Sequence, residues 1–158
     1  MDASRRSAWV VAGFAAALDL ALVVCAWGFI SLLTDAEVIS SAAAGRLVGP
    51  AAVAASGAAL LLHLARALRD PSRIAATTLL AALWTWLAFV VVAAIGYAVA
   101  TGGIITSLVF ALGLGIGWFG LLVPALAALV ASLAVITARG MAGGVERPRW
   151  PWERDDEE

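Results

Sequence analysis

Apolar side chains fill four long runs of the chain with almost no polar interruption, and polar residues gather in short stretches between them. The first run extends from Ala8 to Leu33, broken only by Asp19. A hydrocarbon core needs about 20 helical residues to cross, so this run predicts a spanning helix. Thr34 to Arg46 carries Asp35, Glu37 and two serines and reads as a loop. Gly49 to Leu68 is a second span, opened by Pro50, whose missing N–H costs little in a first helical turn. Arg69, Asp70, Pro71, Ser72 and Arg73 form a tight connection. A third span runs from Ile74 to Ala100 and stops at Thr101, Gly102 and Gly103.

Ile104 to Ala138 has no charged residue at all. At roughly 1.5 Å per residue such a helix would be about 50 Å long, too long for one upright crossing. Counting back from Arg139 places the fourth span at Trp118 to Ala138, with Pro124 as a kink, and leaves Ile104 to Gly115 as an interfacial or re-entrant piece. Residues 1–139 then form a four-helix transmembrane domain, and 140–158, rich in Gly, Pro, Arg and acids, a flexible cytoplasmic tail. The expected class is all-α, an integral membrane four-helix bundle with one extra apolar segment.

The arginines set the threading. With the N-terminus inside, Arg5, Arg6, Arg66, Arg69, Arg73, Arg139, Arg147, Arg149 and Arg154 are cytoplasmic and Arg46 alone is outside. Trp9 falls at the inner boundary and Trp27, Tyr97 and Trp118 at the outer one, where amphipathic rings settle. The competing reading of the first run is a cleavable signal beginning at Ser4, Arg5 and Arg6, but its apolar core exceeds the usual length of about 7 to 15 residues.

Composition strengthens the membrane reading: the 158 residues are 63% hydrophobic and 13% charged, and mean hydropathy is +0.99. A soluble domain of this size cannot hide that much apolar surface. All basic residues are Arg, with no Lys, Asn or Gln, which fits a coding bias. A net charge of -1 speaks against nucleic acid as a partner. The lone Cys25 gives no disulfide framework, and no spacing of His, Cys or carboxylates suggests a metal site. No nucleophile and base, and no paired carboxylates, converge in the pattern, so no catalytic residue, enzymatic activity or cofactor is expected.

Asp19 is the most informative residue, since an acid in mid-span is costly unless protonated or paired. Depth matching brings Ser56, Thr85 and Trp86 to its level, where they could donate hydrogen bonds and hold the bundle in register. The competing role is a proton or cation site. His63, near the cytoplasmic boundary, reads as an interfacial histidine more readily than as a relay. Trp84 and Trp86 point to different sides of one helix, so at least one indole should pack inside. Gly115, Gly117 and Gly120 spell a dinucleotide fingerprint without the strand, crossover helix or acid that it needs. Gly113 and Gly117, four residues apart, suit close helix packing instead.

The tail reads Arg147-Pro148-Arg149-Trp150-Pro151-Trp152-Glu153 before an acidic finish, and Trp150 and Trp152 could dock on the membrane surface or a cytosolic partner. Joined to four Ala/Val/Leu spans, this ending resembles uncharacterised small membrane proteins of high-GC Gram-positive bacteria. The resemblance implies a plasma-membrane location and no known activity. The expectation is a non-enzymatic structural or accessory subunit, with a membrane-protein partner or further copies of itself beside it in the lipid bilayer. The alternative is a small oligomeric proton- or cation-linked transporter or channel that uses Asp19.

Overall fold

A computed structural model describes residues 3–39, 41–69 and 73–142, and among them all regular structure is helical. The elements are α1 (Ala3–Thr34), a 3₁₀ turn (Ala42–Ala44), α2 (Val48–Ala67), α3 (Ile74–Thr101), α4 (Ile104–Ile116) and α5 (Trp118–Ala142). Four of them, α1, α2, α3 and α5, are long and apolar enough to cross a membrane, with mean hydropathies of 2.2, 1.7, 2.3 and 2.5. The chain is a multi-pass membrane protein. The tail with Trp150 and Trp152 lies outside the described residues.

Local chemistry ends the helices where the sequence changes character. Asp35, at φ 51, turns the chain out of α1, a left-handed conformation that Asp tolerates better than most residues. Gly102, at φ 75, caps α3 and sends its N–H back to the Ala98 carbonyl at 2.8 Å, the left-handed cap that glycine forms without a Cβ penalty.

The packing order is a ring. α3 packs against α2 and α5, and α1 closes the ring against both of those helices. Outside the ring, α4 lies against α3 and α5. Its direction follows from its partners: Phe110 stacks on Tyr97 with centroids 4.2 Å apart, and further along Gly115 meets Val90 and Trp86. α4 therefore runs antiparallel to α3, back along its second half. The bundle has a proximal end, holding the start of α1 and the end of α5, and a distal end, holding the end of α1 and the start of α2.

Two apolar clusters fill the interior. The proximal one joins Ala8, Ala12 and Ala15 of α1 to Leu60 and Leu64 of α2 and to Ala127, Val130, Ala131 and Val135 of α5. The distal one joins Val23, Ala52, Val53, Phe89, Ala93 and Val123. Lipid provides little hydrophobic drive for helix association, so small residues that permit close approach matter more than bulk. Gly57 shows this: a Cβ there would lie 2.7 Å from Leu20 Cδ2.

Candidate functional site

A polar layer separates the two clusters. On α1, Asp19 lies one turn past Ala15 and one before Val23; on α2, Ser56 lies one turn before Leu60; on α3, Thr85 lies between Ala81 and Phe89. All three polar residues are 0% exposed. The i, i+4 repeat stacks them in register with the apolar residues on either side.

The donors at this level are spent elsewhere. Ser56 Oγ donates to the Val53 carbonyl at 2.7 Å. Thr85 Oγ1 faces the Ala81 and Ala82 carbonyls at 2.8 and 3.0 Å. Helical Ser and Thr commonly bond back to their own preceding turn, and here that leaves their lone pairs, not their protons, for anything else. Trp86 turns away to α4, donating Nε1–H to the Gly115 carbonyl at 3.0 Å. The expected hydrogen bonds from Ser56, Thr85 and Trp86 to Asp19 are thus not made. Neither carboxyl oxygen of Asp19 has a hydrogen-bond partner among the described residues.

A break in the last apolar run lies close by. Gly117 adopts φ -63, ψ 162 between α4 and α5, which interrupts the helical ladder and frees carbonyls around it. Two indoles cover this region. Trp86 binds the Gly115 carbonyl, and Trp27 of α1 donates to the Phe119 carbonyl at 3.0 Å. Trp27 also sets its ring edge-on to Phe89 and Phe119, at centroid distances of 5.9 and 6.1 Å. Packing at the break is tight: a Cβ on Gly115 would lie 2.6 Å from Val90 Cγ2 of α3, and one on Gly120 would meet the Leu114 carbonyl and Gly115 Cα across the break.

The break does not sit at the bundle's distal surface, where counting from Arg139 puts Gly117 and Trp118. Gly115 packs at the level of Val90 and Trp86, about 16–23 Å along α3 from its end at Thr101 at 1.5 Å per residue. α4 takes up the surplus length by descending beside α3. The break consequently lies next to Phe89 and Val123, one helical turn from the Asp19 layer.

The remaining candidates fall elsewhere. His63 Nε2 bonds the Thr77 carbonyl at 3.1 Å; a carbonyl only accepts, so the ring nitrogen donates and ties α2 to α3 near the proximal end. Gly113 faces open space, with nothing within 4 Å of where a Cβ would stand. Close packing belongs instead to Gly57, Gly96, Gly115 and Gly120. Trp84 is half exposed. Among the described residues no three His, Cys, Asp or Glu side chains group as metal ligands. Trp27 was legible only as a boundary aromatic, and the Gly115 and Gly120 contacts only as a spurious fingerprint.

No curated protein and no solved structure matches the chain. A family model described as "Family of unknown function (DUF6121)" matches residues 1–158. On that full-length match, this buried-acid bundle belongs to the DUF6121 family.

Proposed function

We propose that the protein is a small proton-linked transporter or channel of a bacterial plasma membrane, with Asp19 as the group that takes up and releases the proton. The observation that carries this reading is the carboxyl group itself: it is 0% exposed and unbonded among the described residues. An ionised carboxylate in such a place is costly, and intramembrane acids mark ion or proton sites for that reason. A purely structural role would use the acid as an acceptor, yet every nearby donor points elsewhere. A partner helix cannot complete it from outside while it stays fully covered. The broken α4–α5 junction supports the same reading, because discontinuous helices beside a polar site supply the movable backbone of many transporters.

The orientation proposed has both termini in the cytoplasm. Its support is the arginine bias, with Arg66, Arg69, Arg73 and Arg139 at one end of the bundle and Arg46 at the other. High-GC Gram-positive bacteria are the proposed source, on the strength of the Arg-only basic set and the Trp-Pro-Trp ending.

The test uses full-length protein in liposomes loaded with a pH-sensitive dye, with potassium and valinomycin setting the potential. Wild-type protein should carry protons, and Asp19→Asn should abolish the flux while purifying in equal amount. Equal flux from both would sink the proposal. A variant that loses abundance or assembly would support the structural role for the acid. The accessory-subunit reading keeps one observation in its favour, the half-exposed Trp84 on the outer face of α3, and predicts a stoichiometric partner on gentle affinity purification.

A further inference from the structure

A cleft of about 1040 Å³ opens between the distal halves of α1 and α2 and the connection that joins them. Its walls are apolar, including Leu20, Val24 and Val53, and its polar lining includes Glu37 and Arg46. Val24 is 62% exposed, so the wall continues onto the surface that α1 turns toward acyl chains. An apolar tail can therefore enter sideways from the bilayer. Glu37 and Arg46 have opposite charge and line the same cleft, yet neither makes an ion pair or hydrogen bond with another described residue.

From this arrangement we infer a binding site for one zwitterionic glycerophospholipid of the phosphatidylethanolamine type. The guanidinium of Arg46 holds the phosphate, with the planar fork that suits two phosphate oxygens. The Glu37 carboxylate receives the ammonium group, and an acyl chain lies along Leu20, Val24 and Val53. Both protein charges are matched only by a headgroup that carries both signs. A purely anionic headgroup would satisfy Arg46 and leave Glu37 facing like charge. The cleft volume lies just above the range of about 300–1,000 Å³ typical of sites for drug-sized ligands, as a larger amphiphile requires. The site is separate from Asp19 and stands whether or not the protein moves protons.

The test is native mass spectrometry of delipidated, detergent-solubilised full-length protein, titrated with dioleoyl phosphatidylethanolamine or dioleoyl phosphatidylglycerol. One phosphatidylethanolamine should bind per chain, with a preference of about tenfold over phosphatidylglycerol, the effect of one unmatched charge. Arg46→Ala should remove binding of both lipids. Glu37→Gln should weaken phosphatidylethanolamine and erase the preference. Ala54→Trp, which fills the cleft from an exposed lining position, should block binding without touching either charge, while Arg73→Ala, at the other end of the bundle, should leave it intact. Equal binding of the two lipids by wild type, or binding indifferent to Arg46→Ala, would overturn the assignment in favour of ordinary annular lipid. Displacement of the lipid by millimolar inorganic phosphate would overturn it in favour of a soluble phosphate ligand.

Discussion

Adding one methyl group at Gly120 tests the clasp between α4 and α5. A Cβ there would lie 2.7 Å from both Gly115 Cα and the Gly115 carbonyl oxygen, whereas non-bonded carbon atoms rest at about 3.5–4.0 Å. The two segments must part by about an ångström, and no side-chain rotation can relieve the overlap. Overpacking costs about 1–3 kcal/mol, and backbone atoms that cannot swing aside put this case near the upper figure. Alanine's better helix propensity offsets at most about 1 kcal/mol of that. The net loss is about 2 kcal/mol, or about 4–8 °C in melting temperature at 2–4 °C per kcal/mol for a chain of this size. Gly113→Ala is the matched control, because no atom lies within 4 Å of its Cβ position; it should gain about 0.5–1 kcal/mol from propensity alone. The assay is survival of the monodisperse size-exclusion peak after stepwise heating in detergent. If Gly120→Ala melts with or above Gly113→Ala, α4 and α5 are not clasped as described.

Three further outcomes are expected. Trp86→Phe keeps an aromatic ring but removes the pyrrole half of the indole with the N–H that reaches the Gly115 carbonyl, and should cost at least about 1–2 kcal/mol in the same heating assay, with an unchanged midpoint counting against that bond. Phe89→Ala empties a fully buried site in the distal cluster and should cost about 3–5 kcal/mol, seen as loss of the monodisperse peak, whereas Phe89→Leu should survive purification. On a Cys25→Ser background, a membrane-impermeant maleimide should label Ser41→Cys in intact cells and Ser72→Cys only after lysis; the reverse pattern would invert the proposed threading.

The helices were legible because each span is an unbroken apolar run ended by a chemical signal, such as Gly102 after α3 or the arginines after α2. The surplus length of the charge-free run from Ile104 to Ala138 was legible too, since no single crossing accommodates it. Where that surplus goes was not. Its placement depends on Gly115 facing the Val90 and Trp86 side chains and Gly120 facing backbone while Gly113 faces open space, and one helical residue turns the facing direction by about 100°. Such a rotation leaves no mark in a stretch that is apolar on all sides. The same holds for the polar layer. Depth is countable from an arginine, so Asp19, Ser56 and Thr85 could be grouped, but which way each hydroxyl proton points is a rotamer choice settled by the preceding turn of its own helix.

The bond from the Trp27 indole to the Phe119 carbonyl joins residues 92 positions apart. During synthesis α1 enters the bilayer long before Phe119 leaves the ribosome, so the indole must wait, and in lipid an unsatisfied N–H drifts toward the headgroups. Arrival of α5 draws it inward and fastens the first crossing to the last. Assembly therefore has a natural final step, and a nascent chain stopped before Phe119 holds its first helix against α2 alone.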